Sequence, residues 1–482
     1  MSAIITLENV SWTYSGAPGR ALSNISAAIE EGECVAVMGE NGAGKTSFCR
    51  LINGLIPHSL PGKLEGVVTV DGVVTSSSSV LQLAQKTGMA FEGPHLFTAR
   101  ADDETAFALE NLLQPPDEIR ERVHWALDIT GLSAFADRAP STLSGGQKQR
   151  LAIAAALAMA AKILVLDEAV SQLDPQGARE ILSIIRELRV SKGLTVVMAA
   201  SSGAEAAEFA DKVCILKNGT LAAFDTPGRI LAEQRLVYDC GFPRHTDYDS
   251  LYAANSNKNG NAASAVQINN LFFQYNSGGI ILDDVNLEIR ENDFLVITGR
   301  NGCGKTTLLK NISGLLRPGG GSILLRGRDT AGMDMAEIAG EIGFVMQDPD
   351  SQLFASTVYD EAAFALKRLL PKNALKEKAE EALSMVGLLD KRDAFPPSLN
   401  RADRVKTVFA AILAMGPRII ILDEPFAGQD ARGCRLIAGI LSKLHRQGYT
   451  ILAVTHNINA LPHELVRFVA MENGKINVSS AE

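Results

Sequence analysis

The sequence has no uninterrupted apolar run of the roughly 18 residues needed to span a membrane as a helix, although 46% of it is hydrophobic and its mean hydropathy is +0.08. The longest candidate, Leu151 to Leu166, is broken by Lys162 and stopped by Asp167. No integral span is expected. The first residues, MSAIITLENV, lack the basic segment and apolar core of a secretory leader, so the chain is expected to stay inside the cell. Its six cysteines (Cys34, Cys49, Cys214, Cys240, Cys303 and Cys434) include no Cys-x-x-Cys pair, which argues against zinc, iron–sulfur and disulfide frameworks. Positive charge is in deficit. With 46 Lys and Arg against 55 Asp and Glu the net charge is −9, which disfavours binding nucleic acid through its phosphates.

What the sequence does have is length and a repeat. Its 482 residues are too many for one hydrophobic core. Lys45 and Lys305 lie 260 positions apart, Glu92 and Gln347 255, Ser144 and Asn400 256, Asp167 and Asp423 256, and Ser201 and His456 255. Offsets this constant mean duplicated domains, expected at residues 1–240 and 266–482. The connecting 241–265 is expected to be a flexible linker, most clearly in NSNKNGNAASA (Asn255 to Ala265), which is small, polar and free of periodicity. About 20 mobile residues of this kind reach roughly 25 Å, enough to let the halves pack on each other.

Each half opens with an alternating strand, Ile4 to Tyr14 and Val266 to Tyr275. Apolar strands, Cys34 to Met38 and Phe294 to Thr298, then run into GENGAGKTS and GRNGCGKTT. A strand, a glycine-rich loop, Lys-Thr and a helix make a P-loop, in which backbone N–H groups cradle phosphates, the lysine meets the β and γ phosphates and the threonine binds Mg²⁺. The ATP-binding candidates are Gly39, Asn41, Gly42, Gly44, Lys45, Thr46 and Ser47, with Gly299, Asn301, Gly302, Gly304, Lys305, Thr306 and Thr307 in the second copy.

Two further strands, Ile163 to Leu166 and Ile419 to Leu422, end in paired acids, Asp167 with Glu168 and Asp423 with Glu424. Such a pair suits an aspartate that holds hydrated Mg²⁺ beside a glutamate that takes a proton from attacking water. Between P-loop and acids of the first half lies LSGGQKQR (Leu143 to Arg150). There Ser144, Gly145, Gly146 and Gln147 offer a hydroxyl, unobstructed N–H groups and a helix start, which together grip an anion.

This ordered trio resembles the nucleotide-binding domain of ABC (ATP-binding cassette) proteins. The resemblance implies an α/β fold of two tandem ABC-type P-loop NTPase domains, each with a mixed-sheet core, an antiparallel β subdomain and a helical subdomain. The periodic stretches Asp117 to Leu132 and Lys372 to Leu389 fit the last of these. It also implies that Tyr14 and Tyr275 stack on adenine, that Gln347 reaches Mg²⁺ and the attacking water, and that His456 reaches the γ-phosphate and Glu424. SQLD (Ser171 to Asp174) and AGQD (Ala427 to Asp430) match the loop that joins two sites across a dimer. In this family each ATP lies between the P-loop of one domain and the signature of the other. The catalytic candidates are then Glu424, His456, Gln347 and Lys305, and the Mg²⁺ ligands Thr306, Gln347 and Asp423 in one site and Thr46, Glu92 and Asp167 in the other.

Three departures stand out. Glu92 replaces Gln347, Ser201 replaces His456, and LNRADRVK (Leu399 to Lys406) replaces LSGGQKQR, with Arg401 and Ala402 where the glycines were. Sorted by composite site, all three fall with Lys45. The site of Lys305, completed by Ser144 to Gln147, stays whole.

Within the superfamily, QDPDSQLF (Gln347 to Phe354), VYDEAAFAL (Val358 to Leu366) and NGLIPHSLPGKLEG (Asn53 to Gly66) resemble the ATPases of energy-coupling-factor (ECF) importers of vitamins, vitamin precursors and metal ions. That resemblance implies ATP and Mg²⁺ as cofactors, intramolecular pairing of the halves, and two membrane partners: an integral coupling protein and a substrate-binding subunit. It implies a peripheral position on the cytoplasmic face of the cell membrane, held through those partners, with no nucleic acid. The alternatives are the fused ATPase of a sugar importer, a soluble ABC ATPase acting on ribosomes or DNA, and a non-hydrolysing clamp. QDPDSQLF disfavours the first, the missing charged linkers and metal cysteines the second, and the whole second site the third.

Overall fold

The computed structural model describes residues 3–17, 19–94, 96–170, 173–200, 209–233, 262–275, 279–368, 370–427, 429, 431–458, 461–462 and 465–477. The chain divides into two compact units, Met1–Arg244 and His245–Glu482. Most of the expected linker, residues 241–261, lies outside the described residues; Ser264 and Ala265, counted with it, open the first strand of the second unit.

Each unit contains a small antiparallel sheet. In the first, β1 (Ala3–Tyr14) pairs with β2 (Leu22–Glu30) and β4 (Gly62–Val70), and β4 turns into β5 (Val73–Val74). Ile5 and Leu7, then Val10 and Trp12, are buried along β1, an irregularity at the left-handed Asn9 shifting the alternation by one residue.

The larger sheet runs β10-β9-β3-β8-β7-β6, built from β3 (Cys34–Met38), β6 (Thr87–Ala90), β7 (Ile163–Asp167), β8 (Thr195–Ala200), β9 (Lys212–Lys217) and β10 (Thr220–Asp225). All its pairs are parallel except β9 with β10, so the sheet is mixed. Its central strands are apolar on both faces because both are covered. Cys34, Ala36 and Met38 pack into one core layer, while Val35 and Val37 pack into the other.

The second unit repeats this plan. β11 (Ser264–Gln274), β12 (Ile280–Arg290), β14 (Gly320–Leu325) and β15 (Arg328–Asp329) form the small sheet. The large one runs β16 (Ile342–Val345), β17 (Ile419–Asp423), β18 (Thr450–Val454), β13 (Phe294–Thr298), β19 (Arg467–Glu472) and β20 (Lys475–Asn477).

Strand order decides where chemistry is possible. β8 lies between β3 and β7, and β18 between β13 and β17, all parallel. Their carboxyl ends therefore lie side by side, and the loops leaving them carry the P-loops, the paired acids and, in the second unit, His456.

Helices Ala101–Asn111, Pro116–Ile129 and Gly145–Ala158 enclose their own core of Leu109, Ala126, Leu127, Leu151 and Ala154. Helices Val358–Ala363, Lys372–Val386 and Arg401–Met415 are their counterparts. Among the described residues no helix is long and apolar enough to cross a membrane.

The signature helix rests on β6 through a glycine. A Cβ on Gly88 would lie 2.5 Å from the carbonyl of Ala156 in that helix, and one on Gly343 would lie 2.3 Å from Ile412 Cγ2. Gly88→Ala is expected to destabilise the first unit by about 1–3 kcal/mol by overpacking. Gly340→Ala, which meets nothing within 4 Å and lies in helix Met335–Glu341, is expected to stabilise by about 0.5–1 kcal/mol. Thermal melting of the two variants checks both.

Candidate active site

Both P-loops close on their own lysine. Lys45 Nζ donates to the carbonyls of Gly39 (3.0 Å) and Glu40 (3.4 Å), and Lys305 Nζ to those of Gly299 (2.6 Å) and Arg300 (2.9 Å). Glycine is obligatory for two separate reasons. At Gly39 and Gly299 a Cβ would stand 2.3 and 2.2 Å from a backbone carbonyl, and at Gly44 and Gly304 2.8 and 2.9 Å. Gly42 and Gly302 have φ of +80° and +82° with nothing within 4 Å, so a left-handed backbone rather than crowding requires them. That open side is where a phosphate would enter.

The acids lie directly beside the cradle. Thr46 Oγ1 donates to Asp167 Oδ1 at 3.0 Å and Thr306 Oγ1 to Asp423 Oδ2 at 2.8 Å. Glu168 and Glu424 have left-handed backbones, with φ of 54° and 49°, a strained conformation for a glutamate. It is held by backbone hydrogen bonds to the neighbouring strand, Glu168 N to Ala199 O (3.0 Å) and Glu424 N to Val454 O (2.8 Å).

The electrostatics of the two units diverge here. In the first, Lys45 Nζ lies 3.2 Å from Glu168 Oε1, so the P-loop lysine and the glutamate neutralise each other. Burial pushes Asp167 up to about 6, and the charges of Glu168 and Glu92 add to the rise while the Thr46 hydroxyl opposes it. In the second, burial pushes Glu424 up to about 7, with the charge of Asp423 adding and the His456 backbone N–H opposing. His456 is its close neighbour: its backbone N donates to Glu424 Oε2 at 3.2 Å, and its Nε2 lies 3.4 Å from Glu424 Oε1. A buried glutamate poised near neutrality suits a general base.

Asp423, also raised by burial, keeps Oδ1 buried without a hydrogen-bond partner. An orphaned carboxylate oxygen beside a threonine hydroxyl at the mouth of a phosphate cradle fits Mg²⁺, which takes one or two protein oxygens and completes its shell from phosphate and water.

The flanking tyrosines lean on the P-loop helices. Tyr14 OH is 2.9 Å from Ser47 Oγ and Tyr275 OH 3.4 Å from Thr307 Oγ1. Each ring stands edge-on to a strand neighbour, Trp12 at 5.5 Å and Phe273 at 4.9 Å.

Both signature turns cap a helix, but differently. Ser144 Oγ accepts from Gln147 N at 3.3 Å and Gln147 Oε1 from Ser144 N at 2.9 Å, a reciprocal capping box. Gly145 follows it, exposed and with nothing within 4 Å of a Cβ, so nothing in its own unit demands glycine there. In the second unit Asn400 Oδ1 caps Asp403 N at 2.8 Å. Burial opposes the charge on Asp403, but Lys391 (2.6 Å) and Lys406 (3.0 Å) outweigh it and hold its carboxyl below the usual range. Arg404 pairs with Asp350 at 2.6 Å. A closed charged network thus replaces the open glycine turn.

A model of the family described as ABC transporter matches residues 22–171 and 282–427, one stretch in each unit. The chain belongs to the ABC transporter family. Relatives span nearly all of it. A Methanosarcina acetivorans protein described as an ABC transporter ATP-binding protein is 34% identical over 99% of this chain and 90% of its own length. One from Caldanaerobacter subterraneus is 32% identical over 98% and 90%. The structure of cbiO1 from Clostridium perfringens, part of the ABC transporter complex cbiONQ, aligns with 49% of this chain and 94% of its own at 31% identity and a TM-score of 0.43. As an ABC transporter ATPase with two fused cassettes, the chain binds and hydrolyses ATP.

Within these cassettes the sequence candidates do not all converge. Thr306 bonds Asp423 and His456 bonds Glu424, with Lys305 near enough for its charge to act on both acids, while Thr46 bonds Asp167 and Lys45 pairs with Glu168. Gln347 stands exposed at its loop, and among the described residues no hydrogen bond holds its amide. Instead Gln352 grips that loop, accepting from Met346 N (2.8 Å) and donating to Phe344 O (2.9 Å). Ser201, Ser171, Gln172 and Asp430 lie outside the described residues.

Sequence reading also missed two buried glutamates. Glu361 accepts from Phe354 N (3.0 Å) and Ala355 N (2.7 Å), and Glu104 from Phe97 N (2.8 Å) and Thr98 N (2.9 Å). Their separation, 257, equals that of Phe97 and Phe354, a signal the repeat already carried.

The raised Glu424 predicts a pH-dependent stability. Its folded pKa of about 7 exceeds its ordinary 4.5, so the ionised form is disfavoured in the fold and stability is lost as pH rises between those values. Glu424→Gln removes that cost. The nucleotide-free variant is expected to melt at higher temperature than wild type at pH 8, with the gap shrinking toward pH 5, as read by calorimetry.

Proposed function

We propose that this chain is the ATPase of an ECF-type membrane importer, with two composite ATP sites of which one is competent. Each P-loop is completed by the signature turn of the other half. The observation that carries this reading is the sorting of departures: Glu92, Ser201 and Asn400 to Ala402 all fall in the site built on Lys45, and none in the site built on Lys305. Gly145 supports it, since a glycine without local cause makes sense where a phosphate from elsewhere approaches.

In the competent site Lys305 and the N–H groups of Gly302 and Gly304 bind the β and γ phosphates, while Ser144, Gly145, Gly146 and Gln147 close from the other half. Thr306 and Asp423 would hold Mg²⁺, with Gln347 joining them if its exposed loop turns inward, and the bound metal would supply charge neutralisation to the phosphates. Glu424 takes the proton of the attacking water, and His456 donates to the γ-phosphate. In the other site Thr46, Asp167 and Glu92 would hold the metal, but Glu168 is drawn onto Lys45, leaving a nucleotide that binds and turns over slowly.

The importer reading rests on the loop after Gln347. Phe354 is 66% exposed and packs edge-on against the exposed Phe364 at 4.6 Å, while Glu361 fixes the backbone beneath them. This pair, with Leu353, offers an apolar foothold to a coupling protein, so the chain sits on the cytoplasmic face of the membrane through its partners. Phe354→Asp is expected to detach the chain from membranes while leaving ATP affinity intact; sedimentation of wild type with ribosomes rather than membranes would refute the reading.

Steady-state phosphate release tests the sites. Glu424→Gln is expected to lower the rate by about 10²- to 10⁴-fold. Ser144→Arg should do nearly the same from the other half of the chain, and Glu168→Gln much less. Equal losses for Glu168→Gln and Glu424→Gln, or a harmless Ser144→Arg, would overturn the composite assignment.

A further inference from the structure

His456 follows β18, and its ring tip reaches the second P-loop. Its Nε2 lies 3.0 Å from Asn301 Oδ1 and 3.4 Å from Glu424 Oε1. The Asn301 contact is a hydrogen bond, while Glu424 Oε1 makes none among the described residues and adds a carboxylate oxygen near the same nitrogen. A bare Nε2 would turn its lone pair toward both oxygens, so the arrangement calls for a proton on Nε2.

Both segments that meet here are anchored elsewhere. The carbonyls of Gly299 and Arg300, just before Asn301, are clamped by Lys305 Nζ. The turn after β18 is held by the fully buried Thr455, whose hydroxyl accepts from Asn457 N at 3.0 Å. The Asn301–His456 bond joins these two fixed points, so it sets the ring rotation as well as the tautomer.

We infer that Asn301 is a positioning residue for His456: without nucleotide its amide oxygen holds the Nε2–H aimed into the cradle, and with nucleotide it yields that N–H to the γ-phosphate. This rests on the reading of the competent site given above. A neutral amide suits the task. A phosphate oxygen, being charged, accepts about twice as strongly, so the exchange runs toward the nucleotide and needs no change of tautomer. In the first half Asn41 keeps the amide, but Ser201 occupies the sequence position of the imidazole.

The test uses the full chain with ¹⁵N-labelled histidine. In the nucleotide-free wild type, the His456 resonances, identified by their loss in His456→Ala, are expected to show protonated Nε2 and bare Nδ1. In Asn301→Ala they should shift toward values of a freely rotating ring, and kcat/KM, which reports the nucleotide-free chain, should fall by about 3- to 10-fold, the worth of one hydrogen bond. Asn301→Asp, which keeps an acceptor, should restore the Nε2–H signature while weakening ATP binding by placing a negative charge beside the γ-phosphate. A bare Nε2 in wild type overturns the inference. So does an Asn301→Ala variant whose His456 spectrum is unchanged while ATP affinity is lost, because that describes a residue holding only its own loop. The spectroscopic arm is independent of hydrolysis: full ATPase in Glu424→Gln would refute the competent site, while the tautomer would still decide the role of Asn301.

Discussion

Two carboxylates side by side at the buried end of a parallel strand lose hydration and repel each other, and the polar contacts around β7 and β17 answer that cost. Threonine hydroxyls from the P-loop helices take one oxygen of Asp167 and of Asp423. The units then part. Lys45 reaches Glu168, giving an ion pair. Lys305 stays on its own loop carbonyls, and Glu424 meets His456 instead. One glutamate is neutralised by a cation that a nucleotide would need, and the other is lifted toward neutrality by burial. Two differing contacts in two copies of the same fold thus leave one glutamate in an ion pair and the other beside an imidazole.

The same division runs through the rest of the site. Glu92 adds negative charge where Asp167 is already strained by burial, while its counterpart Gln347 is neutral. At the signature turns, glycines leave an open helix start in the first unit, and Asp403 with its two lysines closes it in the second. The loops that bear Phe97 and Phe354 are held alike in both units, since each rests on a buried glutamate of the next helix. Two exposed aromatics kept on rigid supports differ from ordinary surface residues, which need no such anchoring.

The P-loops, the strand alternation and the paired acids were legible in the sequence because their causes are local. A left-handed glycine, a lysine just past it and a strand of period two leave their mark within a few residues. The repeat offsets located the counterparts, and would have located Glu104 and Glu361 as well. Gln347 shows the limit. QDPDSQLF contains two glutamines, and loop side chains have no periodicity to say which one turns inward; the fold turns Gln352 in to grip the loop and leaves Gln347 exposed.

By itself the sequence determined the duplicated α/β plan, the two phosphate cradles and which half carries each departure, since these depend on residue identity and order. Only the tertiary structure decided which acid pairs with which neighbour. Lys45 meets Glu168 and Asn301 meets His456 across long stretches of chain, because β8 and β18 insert between the P-loop strand and the acid strand and bring their carboxyl ends level. Around Lys45 and Glu168 burial removes the water that would otherwise screen the charges, whereas the Asn301–His456 bond lies at the exposed rim of its cradle; neither contact is announced by a local pattern.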